Sequence, residues 1–292
     1  MSISSFTNKK ELKFIITLGT GLFGSSNNNI VTLQGYRAIA DIDKAGGMMM
    51  GTLRARIYGV EQADMNSCTT LQWKPGYSIK NTVQVFAIDG TQETLVFAGD
   101  IVNAWGDYKS MPDVFFQIQA QAAYFGGLQA VTPLSVPGGV QASVLMAKIA
   151  DQLGLAFENN NVNVVLSNVY LANTPKQQAL ALARQGNFSL YIDDKTLAIT
   201  NKYAPRAGLI PLISSNTGLM GYPTFDGVGV NFENYFNPGV TFGGSINLVT
   251  DVVQAAGQWI VTSVAHRLES EKPNGVWMST IRGNKNGLAV TA

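Results

Sequence analysis

A mainly β chain with a small α+β insertion is the fold class that the sequence predicts, in the order β, then α+β, then β. Three observations carry this reading. Apolar residues alternate at the strand period through most of the first 130 residues, the period becomes helical after Pro133, and glycine and proline turns punctuate a return to strands beyond Pro205. A length of 292 residues suits two compact units, or one unit with a substantial insertion.

The first predicted strand places Leu12, Phe14, Ile16 and Leu18 on one face, with Lys13, Ile15 and Thr17 on the other. Lys9, Lys10 and Lys13 ahead of Phe14 to Gly24 imitate the basic and apolar regions of a signal peptide. Small residues at a cleavage site are missing after Ser25 and Ser26, so a strand is expected instead. Further strands are predicted over Ile30 to Ile42, Gly51 to Tyr58, Thr82 to Asp89, Thr94 to Trp105 and Val114 to Ala123. Asp89-Gly90 marks a hairpin turn, with room for a longer loop before Leu95. Met48 to Met50, set between Gly47 and Gly51, reads as core filler rather than an adaptable contact surface.

Val144, Leu145, Ile149 and Leu153 then repeat at helical spacing, and Gly154 supplies a stop. A second helix has a stronger signature: Thr174 as cap, Pro175 at the first helical position, Gln177 completing a capping box, and Gly186 to end it. Phe188 to Ile192 and Leu197 to Thr200 flank Asp193-Asp194-Lys195 as a tight hairpin, so Pro133 to Ala204 form the α+β unit. Turns are expected at Gly221-Tyr222-Pro223, Asn237-Pro238-Gly239 and Pro273-Asn274-Gly275.

Charged residues make up 13% of the chain, about half the usual share. Asn and Gln are as numerous as Lys, Arg, Asp and Glu together, so amides replace ions as the polar component. That composition suits a subunit whose faces are covered by neighbours, because the cores of protein interfaces are depleted in charge. A net charge of +1 supplies no field for phosphates, and no specific nucleic-acid partner is expected. No apolar run is long enough to span a bilayer, so no stable membrane insertion is expected. One cysteine, Cys68, excludes an internal disulfide, and with a single histidine, His266, no zinc cluster of thiolates and imidazoles can form.

Nucleophile elbows, Walker loops and zinc-protease motifs are absent at their required spacings. Gly19-Thr20-Gly21 approaches a phosphate loop but leads into another strand instead of a helix N-terminus. His266 reads as a structural or interface hydrogen-bonding residue. Asp193 and Asp194 are adjacent in a turn, where both normally face solvent, so they do not face each other across a cleft as glycosidase carboxylates must. Glu233, Glu269 and Glu271 have no sequence relation that pairs them. Trp73, Trp105, Trp259 and Trp277 could stack sugars if exposed, but their strand contexts favour the core. No catalytic, cofactor-binding or metal-binding residue is assigned, and no enzyme activity is expected.

Three stretches carry a family resemblance. The first runs from Leu53-Arg54-Ala55-Arg56-Ile57-Tyr58-Gly59 through Met65-Asn66, Asn81 and Val96-Phe97-Ala98-Gly99-Asp100-Ile101 to Pro112-Asp113-Val114. The second joins Gln152-Leu153-Gly154, the capped helix at Thr174, and Phe188-Ser189-Leu190-Tyr191-Ile192-Asp193-Asp194. The third joins Asn237-Pro238-Gly239-Val240, Gly257-Gln258-Trp259-Ile260-Val261, the strand ending at His266, and Gly275-Val276-Trp277-Met278-Ser279-Thr280. In this order they resemble the baseplate hub proteins of tailed bacteriophages, the family related to phage late control protein D and to the hub part of type VI secretion spikes.

The resemblance implies two tail-tube-like β-barrel domains, at 1–132 and 205–292, with the small α+β domain at 133–204 between them. It implies a homotrimer in which two similar barrels per chain imitate the sixfold tail tube. Such a hub would join the tube to the central spike in the virion baseplate, after synthesis in the host cytoplasm. Its partners would be the central spike protein, the tail tube protein, the tape measure protein and baseplate wedge proteins, with no cofactor. A fused lysozyme, peptidase or host-binding module of longer members is not visible. The competing readings are a tail-tube adaptor or terminator ring, and a carbohydrate-active tail protein.

Overall fold

The computed structural model describes residues 9–24, 27–45, 50–69 and 80–285. Met48 and Trp73 lie outside the described residues. The fold is mainly β with small helical insertions, and its backbone divides into two compact units.

The first unit takes its described residues from 1–43, 51–122 and 266–278. Its strands are β1 (Lys10–Thr17), β2 (Ile30–Gln34), β3 (Ala38–Ala45, of which the last two residues belong to the second unit), β4 (Thr52–Tyr58), β5 (Thr82–Asp89), β6 (Gln92–Asp107) and β7 (Phe115–Gln121). Antiparallel pairing gives the order β3-β4-β7-β6-β5-β1-β2. The alternation read in β1 holds: Leu12, Phe14, Ile16 and Leu18 are all buried. A buried side chain of this kind contributes about 2 kcal/mol through the water it sheds, which is why the register of the strand follows its apolar face.

Two features depart from the sequence reading, and a third decides between alternatives it left open. The run predicted as one strand over Ile30 to Ile42 is two strands broken at Gly35, Tyr36 and Arg37. A short helix α1 (Gln62–Cys68) interrupts the strands and buries Asp64, Met65 and Cys68. Only two of its seven residues are buried and apolar, too few to register as a period. The turn after Asp89 has two residues, Gly90 at φ 62 followed by Thr91, so the tight hairpin holds and the longer loop does not form.

The second unit takes its described residues from 44–50, 123–265 and 279–292. It begins with α2 (Tyr124–Leu128), β8 (Leu134–Gln141), α3 (Ala142–Leu153), β9 (Ala156–Asn160), β10 (Val165–Leu171), α4 (Pro175–Gly186), β11 (Phe188–Asp193) and β12 (Thr196–Asn201). β12 lies between antiparallel β11 and parallel β9, while β8 and β10 form a separate two-stranded sheet. Leu145, Met146, Ile149, Leu182, Leu197 and Ile199 share one core. Helix α3 buries Leu145, Ile149 and Leu153 as read, but Val144 is exposed, and Met146 and Ala150 are buried beside them. In α4 the capping box forms, with the Gln177 amide N–H donating to Thr174 Oγ1 and the Thr174 N–H to Gln177 Oε1. Its stop is Asn187, in the left-handed conformation, and Gly186 is the last helical residue. Strand β8 contains Pro137, Gly138 and Gly139, which masked it in the sequence as a break before the helix.

The rest of the second unit is again β: β13 (Leu212–Ile213), a 3-10 turn at Ser215–Thr217, β14 (Leu219–Phe225), β15 (Val230–Tyr235), β16 (Ser245–Leu248), and the parts of β17 (Gly257–Ser270) and β18 (Trp277–Asn284) assigned to this unit. Phe232, Ile246, Leu248, Trp259, Val261 and Ile281 form its core, and the Trp259 indole N–H donates to Ala255 O at 2.7 Å. The turns at Asn237-Pro238-Gly239 and Pro273-Asn274-Gly275 form. Gly221-Tyr222-Pro223 is instead a bulge inside β14, where the pairing jumps from Met220 opposite Glu233 to Thr224 opposite Asn231.

Candidate functional site

The strongest concentration of chemistry lies at the β11–β12 hairpin. A two-residue turn with Asp194 at φ 50 reverses the chain and brings Asp193 and Asp194 onto the same ammonium, Lys44 Nζ, at 2.8 and 2.6 Å. This corrects the expectation that both carboxylates face solvent. Asp193 also accepts from Arg206 Nη1 at 2.9 Å, and the remaining edge of the Arg206 guanidinium holds Glu158 with bonds of 3.1 Å from Nε and 2.7 Å from Nη2. Nη1 donates as well to Phe242 O at 2.9 Å. The planar fork of arginine suits this three-way grip, which a lysine could not reproduce.

The packing closes the same joint. The rings of Tyr191 and Phe242 meet edge to face at 5.3 Å, and Gly243 runs beside them at φ 80. A Cβ there would sit 2.8 Å from the Tyr191 ring and 3.0 Å from Arg206 Cδ, so only glycine fits. Arg206 and Phe242 thereby tie the segments after β12 to β9 and β11.

Burial alone would push the Asp193 carboxyl up, but Lys44 and Arg206 outweigh it and hold the group below the ordinary aspartate range. The Arg206 hydrogen bonds likewise hold Glu158 down. Burial opposes the charge on Lys44 too, and its two aspartates overcome it and raise the ammonium pKa. Asp193 and Glu158 are thus held as carboxylates, and Lys44 and Arg206 as cations. The arrangement is a clamp, and its chemistry is mutual neutralisation.

A second cluster sits in the first unit. Glu269 accepts from Arg267 Nη2 at 3.1 Å, Lys272 Nζ at 2.8 Å and the Val276 N–H at 3.1 Å. Burial acts to raise its pKa, and Lys272, the Val276 amide and Arg267 together hold it below the usual glutamate range. Lys9 bridges Glu11 at 2.6 Å and Glu271. A cavity of about 480 Å³ opens here, lined by Lys9, Lys10, Glu269, Glu271, Lys272 and Trp277 among others. A glycosidase would need one of these carboxyls to stay protonated at working pH, and Glu269 is held the other way.

The remaining residues singled out in the sequence are dispersed. Glu233 is exposed on β15 in the second unit, whereas Glu269 and Glu271 belong to the first. His266 is buried in β17. Trp259 and Trp277 are buried, while Trp105 departs from its expected core position at 37% exposed. Gly19-Thr20-Gly21 lies in the connection between β1 and β2, where the Gly19 N–H donates to Asn81 Oδ1 at 3.0 Å. Cys68 is buried, which with nearby Asp64 pushes its thiol up to about 12. Among the described residues no group of three His, Cys, Asp or Glu is placed to hold a metal ion, and no helix is long and apolar enough to cross a membrane.

The clamp was hidden from sequence reasoning because its members are far apart in the chain: 149 residues separate Lys44 from Asp193, and 48 separate Glu158 from Arg206. The one local signal was the Asp193-Asp194 turn itself.

Comparison with known proteins places these features in context. The model of one protein family, baseplate hub gp41, matches residues 60–279. No curated protein matches the chain by sequence. Among solved structures, the chain is similar to a tail protein from Neisseria meningitidis, with a TM-score of 0.63 at 10% identity over 95% of this chain and 98% of that one. The 43 kDa tail protein of prophage MuSo2 from Shewanella oneidensis gives 0.61 at 10% identity, over 93% and 96% of the two chains. An E. coli component of the type VI secretion system, itself described as structurally similar to bacteriophage T4 tail proteins gp27 and gp5, gives 0.52 at 8% identity over 87% and 75%. At these identities the likeness is one of fold.

Proposed function

The chain belongs to the baseplate hub gp41 family, and from that premise we propose that it forms a trimeric, pseudo-sixfold ring joining the tail tube to the central spike. The observation that carries this reading is the family match, which extends over 60–279 and so takes in β5, β6 and β7 of the first unit, the α+β region and most of the closing strands. Each chain would supply two tube-like barrels, about 1–132 and 205–292, so that three chains offer six similar positions to a sixfold partner. The middle region, about 133–204, has a core of its own and would act as the body carried between them.

Two physical features support the assignment. The chain has few charges for its size, as a subunit covered on several faces requires. The Arg206 clamp joins the α+β region to the strands that follow it, which suits a part that must present fixed geometry. The role is structural rather than catalytic: the hub acts by matching symmetry between a threefold spike and a sixfold tube. The central spike, tube, tape measure and baseplate wedge proteins are its partners, and the virion baseplate is its place. Co-sedimentation with purified tube and spike proteins tests this. A ternary complex is expected, and binding to neither partner would overturn the reading.

A further inference from the structure

The second unit holds two apolar cores with no residue in common. One lies in the α+β region, around Leu145, Met146, Leu182 and Ile199; the other lies in the strands that follow, around Phe232, Ile246, Trp259 and Ile281. A cluster of three buried residues joins them, Tyr191 and Ala198 from the first body and Phe242 from the second. So small an apolar contact sheds little water, and small joints between folded bodies are where relative rotation is expected.

The chain that crosses this joint, residues 202–211, belongs to no helix or strand, and Arg206 is its one buried residue. That residue holds both bodies at once. Its guanidinium bonds Glu158 on β9 and Asp193 on β11, while its Nη1 also reaches Phe242 O at 2.9 Å and its own N–H donates to Gly243 O at 2.8 Å. The Ala207 N–H beside it donates to Asn160 Oδ1 at 2.7 Å. A buried ion network adds little net stability over an apolar joint, because the cost of desolvating the charges offsets their attraction. It does impose geometry: the donors of a planar fork meet all their acceptors in one arrangement.

We propose that residues 202–211 are a hinge and that Arg206 is the pin that fixes the angle between the α+β body and the closing strands. Cohesion comes from Tyr191, Ala198 and Phe242; orientation comes from the clamp. The pin needs acceptors on both sides, and it has them: two carboxylates on one body and two backbone carbonyls on the other. Without Arg206 each body keeps its own core, and the loop between them absorbs the rotation. The consequence differs from a loss of stability, since a variant can regain its melting temperature while its angle stays loose. The hinge lies within one chain and is independent of the trimeric reading.

The test places nitroxide labels at Asp151→Cys on α3 and Glu233→Cys on β15, both exposed. The full chain is diluted with unlabelled copies, so that double electron–electron resonance reads distances within one chain. Three backgrounds are compared: the parent, Arg206→Met, and Arg206→Met with Glu158→Gln, each checked for folding by its helical circular dichroism. The chain with Cys68 alone controls for labelling. A narrow distance distribution in the parent and one about twofold wider in both variants is the expected result, the double variant staying wide although it regains part of its melting temperature. Equal widths in all three, whether narrow or broad, overturn the pin. A wide single variant beside a narrow double variant overturns it as well, because the orphaned carboxylate and not the missing guanidinium would then have loosened the joint.

Discussion

Replacing Arg206 by methionine tests whether the five-residue clamp stabilises the second unit. The side chain is 8% exposed and makes four hydrogen bonds, three to carboxylate oxygens and one to Phe242 O. Methionine fills much of the volume, so the loss is chiefly electrostatic. Breaking a buried pair by removing one member costs about 3–5 kcal/mol, because the partner stays buried without its counter-charge. Glu158 is 34% exposed and regains some hydration, and Asp193 keeps Lys44, so the lower end of about 3 kcal/mol applies. For a unit of this size that corresponds to a fall in Tm of about 6–12 °C. Helices α2, α3 and α4 all lie in the second unit, so far-UV circular dichroism at the helical band follows its melting. Adding Glu158→Gln to Arg206→Met should recover part of the loss, since it removes the orphaned charge. A single variant melting within about 2 °C of the parent, or a double variant no better than the single, would refute the account of the clamp.

Further outcomes follow from the same physics. Asp193, Glu158 and Glu269 are held below their ordinary pKa values in the fold, so the stability they contribute is complete above the ordinary carboxylate range and is lost as pH falls through their lowered values. Urea melts should therefore show a steep decline below about pH 4. Lys44 behaves in the opposite sense: its raised pKa contributes stability that persists through neutral pH and is lost only above the ordinary lysine range. Thr174→Ala removes one half of the capping box and should cost about 1 kcal/mol without disturbing the first unit, as a thermal melt would register. Cys68, with its thiol pushed up to about 12, should resist an aromatic disulfide reagent at pH 8 until urea unfolds the first unit; rapid labelling of native protein would contradict its burial.

What was legible in the sequence is what depends on neighbours in the chain. The alternation of Leu12, Phe14 and Ile16, the Thr174-Pro175-Gln177 cap and the Asp193-Asp194-Lys195 hairpin are written in spans of a few residues, and each is present in the fold. Where the local pattern was weak, packing decided. α1 has two buried apolar residues, and β8 forms despite Pro137 because β10 supplies its partner. Val144 fits a helical period, yet the face of α3 is set by the core it meets, which takes Met146 instead. The clamp was illegible for the same reason: nothing near Lys44 announces Asp193. Trp105 shows the limit of strand context, since alternation gives two faces and does not say which one is covered.

The central claim is a ring of three, and the mass of the particle tests it most directly. Light scattering coupled to size exclusion, on the isolated chain and on the chain mixed with spike protein, should give a chain component of about three times 31.3 kDa. A particle of one chain, unchanged by spike and tube proteins, would contradict the account; so would a stable closed dimer or a hexamer.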